Sequence, residues 1–418
     1  MILNIGTGAT ILISVGIFLL IILLLVAILL YARKKLTPQG KVKITINDDK
    51  ELEVDPGSTL LTTLSNKGIF LPSACGGGGT CAMCRCQVFE GAGDILPTEK
   101  DYFTRREQQD KWRLGCQVKV RDNLKIGIPK EIFGIKKWEC EVVSNRNVAT
   151  FIKEFIVKLP EGEILDFQSG GYIQIDVPKC EVDFKDIVVE DEYREDWDKL
   201  GIFNLTMKNP EPIFRAYSMA NHPAEGNIVM LNIRIATPPW DRTKNKFMNV
   251  NPGICSSYVF SRKPGDKVTI SGPYGEFHIK NTKKEMLYIG GGAGMAPLRS
   301  QLFHMFLTEK TDRKVSYWYG ARSLREVFYE DEFYAIEKDF PNFKFNLALS
   351  EPLPEDNWKG YTGFIHQVVL DNYLSKHPEP EEVEYYLCGP PMMNDAVFKM
   401  LDNLGVPNES IAFDDFGG

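Results

Sequence analysis

No charged side chain occurs from Met1 to Ala32. Within that run Ala9 to Leu30 is almost wholly apolar, long enough to cross a bilayer as one helix, which takes about 20 residues. It lacks a basic segment before it and a small-residue cleavage pattern after it, which argues against a removed signal peptide and for a retained anchor. The chain also lacks a basic excess: 49 Lys and Arg stand against 56 Asp and Glu, a net charge of -7, which argues against a nucleic-acid partner. There is no internal repeat and no low-complexity tract beyond the glycines. Close cysteine pairs are scarce as well. Only Cys81 and Cys84 have Cys-x2-Cys spacing, whereas a zinc ribbon shows two such pairs.

What remains is ordinary globular material. With 418 residues, 44% hydrophobic and 25% charged, about three domains with substantial cores are expected. Arg33, Lys34 and Lys35 follow the apolar run at once, with Lys41 and Lys43 close behind. By the positive-inside rule everything after residue 32 stays in the cytoplasm and the N-terminus faces outward. A reducing compartment suits nine cysteines left for cofactor or core duty.

Three of those cysteines sit in a glycine-saturated loop, Ser73-Ala-Cys75-Gly-Gly-Gly-Gly-Thr-Cys81-Ala-Met-Cys84, and a fourth follows a long gap in Arg113-Leu-Gly-Cys116-Gln. Three thiolates around one point with a fourth from a distant segment match the way a 2Fe-2S cluster is held. Gly76 to Gly79 allow positive φ and close backbone approach, so that amides point at the cluster sulfurs. Cys86 competes as the last ligand, but it opens an apparent strand, Cys86-Gln-Val-Phe-Glu, so Cys116 is preferred. Relative to the plant-type Cys-x4-Cys-x2-Cys spacing the loop carries one extra residue.

The order of elements suggests four segments: an anchor over residues 1–36, an α+β β-grasp ferredoxin domain over 37–130, an antiparallel β-barrel over 131–282 and an α/β parallel-sheet domain over 283–418. Lys41 to Asn47 alternates, turns at Asn47-Asp-Asp49 and resumes as Glu51 to Val54, a hairpin; Ser58 to Lys67 reads as a helix. Pro129-Lys-Glu-Ile-Phe reads as a linker. Short strands separated by Gly and Pro then imply the barrel. From Met286 strand and helix patterns alternate, as in a parallel sheet.

That last sheet opens with Met286-Leu-Tyr-Ile289 running into Gly290-Gly-Gly-Ala293-Gly294-Met295-Ala-Pro297, a glycine turn that lets a pyrophosphate sit on a helix N-terminus, although such turns also occur for packing alone. Upstream lie Arg215-Ala216-Tyr217-Ser218 and Gly253-Ile-Cys255-Ser256-Ser257; downstream lies Cys388-Gly389-Pro390-Pro. Together these motifs resemble the ferredoxin-NADP reductase superfamily over about Trp138 to Gly418. The resemblance implies that Arg215 and Ser256 hold the FAD pyrophosphate, Tyr217 packs on the flavin, Ser218 approaches its N5, and Cys388 lies beside the nicotinamide. The remaining residues of these motifs would complete the cofactor sites.

The full order is narrower. An uncharged helix, a 2Fe-2S domain, Arg215 to Asn221, Gly320-Ala-Arg322-Ser and the ending Phe413-Asp-Asp-Phe416-Gly-Gly closely resemble the F-subunit family of sodium-translocating NADH:quinone oxidoreductases. That resemblance implies an electron route from NADH through FAD and the cluster to other membrane subunits and, indirectly, quinone. Phe416 would cover the flavin. A flavin between the two is chemically apt, because hydride carries two electrons and the cluster takes one. After Tyr319, Glu326 is placed to accept from the adenosine ribose and repel a 2′-phosphate, while Arg322 and Arg325 push the other way. Between Pro178 and Pro212 an acidic insert, from Glu181 to Asp198 with Tyr193 and Trp197 interleaved, is expected as a solvated loop or a docking segment for a partner subunit. Two other readings use the same modules: a reductase feeding an oxygenase, which usually lacks an anchor, and a tethered ferredoxin with a scaffold reductase half.

Overall fold

A computed structural model describes residues 7–36 and 40–414. Helix Thr7–Leu36 opens the chain, and its segment Leu12–Leu29 has a mean hydropathy of 3.4 with its side chains exposed. By length and composition it can cross a membrane. The chain divides by contact into two compact units, Met1–Leu71 with Ala82–Ile132, and Pro72–Cys81 with Phe133–Gly418.

In the first unit the hairpin forms as Val42–Ile46 and Lys50–Val54, with Asn47 and Asp48 in the left-handed region at φ 52° and 59° within the three-residue connection. Val42–Ile46 also pairs in parallel with Leu124–Gly127, which pairs with Arg85–Glu90, which pairs with Trp112–Leu114. Helix Leu60–Asn66 buries Leu60, Leu61 and Leu64, and its N-terminus is capped by Thr59, whose hydroxyl accepts from the Thr62 amide. Such a cap contributes about 1 kcal/mol. This is the α+β β-grasp arrangement. The segment read as a linker forms a short 3-10 helix, Lys130–Gly134, with Ile132 buried, and the boundary of the two units falls within it.

The second unit holds two six-stranded sheets and two short two-stranded ones. Six antiparallel strands run in the order Ile213–Ser218, Tyr172–Val177, Lys267–Tyr274, Lys136–Ala149, Ile152–Lys158, Ile228–Arg234. A bridge from Met219 to Leu231 joins the first strand to the last and closes the barrel around Phe155, Ile173, Ile175, Val229 and Ile270. The other six-stranded sheet is wholly parallel, in the order Tyr361–Thr362, Phe343–Leu349, Val315–Ala321, Met286–Gly291, Glu384–Cys388, Ile411–Asp414. Its central strands are buried on both faces, as their continuous apolar runs require.

The acidic insert is not a solvated loop. Cys180–Asp183 pairs with Thr206–Asn209, and between them helix Asp191–Leu200 buries Tyr193 and Trp197 and ends on Gly201 at φ 66°. Acids at its first turn, Lys199 at its last and glycine just beyond are ordinary helix signals. Tyr193 and Trp197, four apart, share the inward face.

Candidate functional site

The thiols occur in two pairs. Cys75 and Cys81 have their sulfurs 3.3 Å apart with no disulfide. The Cys81 side chain and then the amides of Cys81, Thr80 and Gly77 favour the Cys75 thiolate and pull its pKa down to about 3. Those amides reach the sulfur because Gly76, Gly77 and Gly79 take φ of 63°, 94° and 79°. Gly77 also donates to the Ser73 hydroxyl at 3.2 Å, and the Ser73 carbonyl accepts from Gln174 at 3.3 Å. A methyl on Gly76 would collide with the Arg215 guanidinium and the Phe214 carbonyl.

In the first unit Cys84 and Cys116 are both buried and their side chains are hydrogen-bonded, which with burial raises the Cys84 pKa. Their separation in sequence is bridged by Gly115, whose amide donates to the Cys84 carbonyl at 2.7 Å. The strand that delivers Cys116 is pinned by a buried ion pair. Arg113 meets Glu99 at 2.7 Å, and Glu99 also accepts from the Leu114 amide at 2.8 Å. Cys86 lies within strand Arg85–Glu90, fully buried, with its thiol pushed up to about 12 by burial. Of the four expected ligands the structure thus brings together two pairs, Cys75 with Cys81 in one unit and Cys84 with Cys116 in the other.

In the barrel, strand Ile213–Ser218 alternates, so Arg215 and Tyr217 share one face and Ser218 takes the other. Tyr217 donates its hydroxyl to Cys255, at the start of helix Ile254–Ser261. Before that helix, a methyl on Gly253 would meet Ser256 Oγ at 2.9 Å, so the turn admits only glycine. Ser256 Oγ accepts from the Ala236 amide at 3.1 Å and Ser257 donates to the Gly253 carbonyl at 2.7 Å. The first amides of the helix lack intrahelical partners, as at any helix start, and can receive a pyrophosphate there.

The parallel sheet completes the site. Gly290, Cys388 and Asp414 occupy the C-terminal ends of adjacent strands and are partners in register, Gly290 with Cys388 and Cys388 with Asp414. Ser218 donates to Asp414 Oδ2 at 2.6 Å, tying the barrel strand to that edge. Gly294 packs so tightly on Cys388 that a methyl would enter the Cys388 carbonyl. Gly292 takes φ 57° and its carbonyl accepts from Tyr319 at 3.3 Å. Helix Met295–Phe303, including Pro297, starts there. Gly389 and Pro390 lead from Cys388 into helix Pro391–Asn403. A crevice at strand C-termini, beside a glycine turn and a helix N-terminus, is where such sheets bind dinucleotides.

Residues 44–121 match the 2Fe-2S iron-sulfur cluster binding domain, 199–279 the oxidoreductase FAD-binding domain and 288–399 the oxidoreductase NAD-binding domain. The F subunit of the Na(+)-translocating NADH-quinone reductase from Klebsiella pneumoniae subsp. pneumoniae is 56% identical over 410 residues, 98% of this chain and 100% of that one. The protein of the same name from Pseudomonas aeruginosa is 54% identical over 98% of this chain and 100% of its own length. The chain belongs to this F-subunit family. Among solved structures, the Amycolatopsis cytochrome P450 reductase GcoB superposes with a TM-score of 0.61 at 21% identity, over 90% of this chain and 98% of that one, a likeness of fold. The ferredoxin reductase in carbazole 1,9a-dioxygenase gives 0.58 at 25%, over 90% and 98%. The family's domains account for 2Fe-2S, FAD and NAD, in the order that the motifs suggested.

Glu326 accepts from Thr150 Oγ1 at 2.5 Å, and Arg322 pairs with Glu351 at 2.9 Å. Phe416 lies outside the described residues. Asp414 was missed by sequence reasoning: the ending Phe413-Asp-Asp-Phe416 offers two aspartates, and only the strand register tells them apart. Thr150 carried no signal at all.

Proposed function

We propose that this chain is the membrane-anchored subunit that oxidises NADH and delivers single electrons to the other subunits of a sodium-translocating NADH:quinone reductase. The observation that carries it is the meeting of Ser218, Asp414 and Cys388 at one edge of a dinucleotide-type sheet, in a chain that also holds two thiol pairs. FAD, when bound, supplies the exchange between a two-electron hydride and one-electron carriers.

The residues divide the work. Gly290, Gly292, Ala293, Gly294 and Met295 form the turn that receives the nicotinamide nucleotide's pyrophosphate, and Cys388 lines the place where its ring would lie. Arg215 and the turn Gly253 to Ser257 hold the flavin's pyrophosphate. Tyr217, fixed by Cys255, presents a rigid ring. Ser218 holds a proton on Oγ that it shares with Asp414, so the pair is placed to give or take a proton at the reacting edge. Cys75, Cys81, Cys84 and Cys116 hold the cluster.

The anchor carries no ion path. An intramembrane ion route needs ionisable or strongly polar groups, and helix Thr7–Leu36 has none of the charged kind before Arg33. Its charges fall at the end nearest the cofactor domains, which orients those domains to the cytoplasm. Full-length chain in detergent should reduce an artificial acceptor with NADH and bleach on NADH addition. A chain lacking residues 1–36 should keep that activity and lose quinone reduction in the reassembled complex. Sodium-dependent NADH oxidation by the shortened chain, or sodium transport by this chain alone in vesicles, would overturn the reading.

A further inference from the structure

The acidic insert ends beside the turn that follows strand Val315–Ala321, Arg322 to Glu326. In a dinucleotide fold the end of the second strand meets the adenosine ribose, where a carboxylate accepts from the 2′-hydroxyl and an arginine accommodates a 2′-phosphate. Both side-chain types are present here, so the sequence alone leaves the choice open. Three cations lie near. Arg322 is paired with Glu351 at 2.9 Å in the open. Arg234 lies over the Phe151 ring at 5.7 Å, with Glu326 as its anionic neighbour. Arg325 is held from three sides by the insert helix: Asp196 at 3.0 Å, the Glu192 carbonyl, and the Tyr193 ring at 5.9 Å.

The insert helix is itself locked to the same turn. Trp197, fully buried, donates to the Thr150 carbonyl at 2.8 Å, and Thr150 Oγ1 donates to Glu326. One residue of the barrel thus ties the insert to the carboxylate, while Asp196 ties it to the guanidinium. Glu190 reinforces the seat by accepting from the Asn147 amide at 2.9 Å, and Lys153 donates to the Val188 carbonyl at 2.6 Å.

We propose that the acidic insert is a specificity element for the nicotinamide nucleotide: Asp196 and the Glu192 carbonyl withdraw Arg325 from the adenosine ribose, so that the 2′ position meets the Glu326 carboxylate and not the Arg325 guanidinium, and NADPH is rejected. This rests on the reading that residues 322–326 receive that ribose. A bidentate guanidinium is the strongest phosphate partner a side chain offers, and an arginine already committed to a carboxylate and a carbonyl is not available for it. Asp196 acts through Arg325 and is a positioning residue.

The test compares kcat/KM for NADH and NADPH, with an artificial acceptor, in full-length holoenzyme. D196N should lower the NADH to NADPH ratio about tenfold, the scale of one charge-assisted hydrogen bond, through a lower KM for NADPH at little-changed kcat. D196E should restore the wild-type ratio. The gain for NADPH should vanish in D196N/R325A. An unchanged ratio in folded D196N, or a gain that persists without Arg325, overturns the proposal. Wild-type constants for both nucleotides in E326Q and in R325A would instead show that the ribose is read elsewhere, which removes the premise and the proposal together. A changed ratio in E326Q beside an unchanged one in D196N leaves the ribose site standing and rejects the insert's part.

Discussion

The two glycine-rich loops, Cys75 to Thr80 and Gly290 to Gly294, look alike in sequence and use their glycines for different reasons. In the first, Gly76, Gly77 and Gly79 all take positive φ, so the glycines serve conformation, letting consecutive amides curl round the Cys75 sulfur, and at Gly76 space is short as well. In the second only Gly292 does. Gly290 and Gly294 have ordinary backbone angles and are there for space: a methyl on Gly290 would meet Leu298 Cδ1 at 2.8 Å and Tyr317 Oη at 2.9 Å, and one on Gly294 would enter the Cys388 carbonyl. A loop that bends to surround a sulfur and a loop packed hard against a neighbouring helix and strand call for the same residue by separate routes.

The comparison implies that the two sites fail independently, and the largest test is Cys116→Ala. It should abolish the cluster's visible spectrum while NADH still reduces the flavin, and Cys86→Ala should keep the spectrum. An intact cluster in the Cys116 variant would reassign the ligand. The mirror image is Gly294→Ala. The added methyl must displace Cys388, and displacements of about 1 Å lower rates by about 10²-fold. Flavin reduction by NADH should fall on that scale in stopped flow, with the cluster spectrum intact.

Ser218→Ala should slow flavin reduction about 10²-fold, within the range for a positioned proton donor, while the affinity for NADH changes little. Asp414→Asn should slow it less, because an amide still accepts the Ser218 proton but cannot pass it on. Equal rates in wild type and Ser218→Ala would remove the pair from the chemistry. The smallest test lies inside the cysteine loop. Gly77→Ala, at φ 94°, is strained by about 1–2 kcal/mol, whereas Gly78 has no positive φ and a methyl there comes no nearer than 3.5 Å to the Cys75 carbonyl. Thermal loss of the cluster should come earlier in Gly77→Ala and stay near wild type in Gly78→Ala. Similar losses in both would mean that the loop's glycines serve space as well.

Much of the fold was legible because its signals are local. The hairpin turn at Asn47 and Asp48, the strand Phe343–Leu349 and the helix after Gly294 each follow from a few consecutive residues. The insert was less legible, because its charge dominates its composition. Its aromatics at 193 and 197 mark a buried face, yet what that face packs on, the Thr150 carbonyl and Phe260, lies on segments far along the chain.

The sequence by itself determined the cofactor set and an apolar helix long enough to cross a membrane. Thiol spacing, glycine turns and an uncharged apolar run are short-range patterns whose chemistry depends on residue type alone. Only the tertiary structure decided which groups act on which. Ser218 meets Asp414 across 196 residues, Thr150 meets Glu326 across 176, and Arg325 bonds the insert across 133. A side chain's partner at such separations is set by how sheets and helices pack, and the energy of each bond depends on a geometry that no run of neighbouring residues encodes.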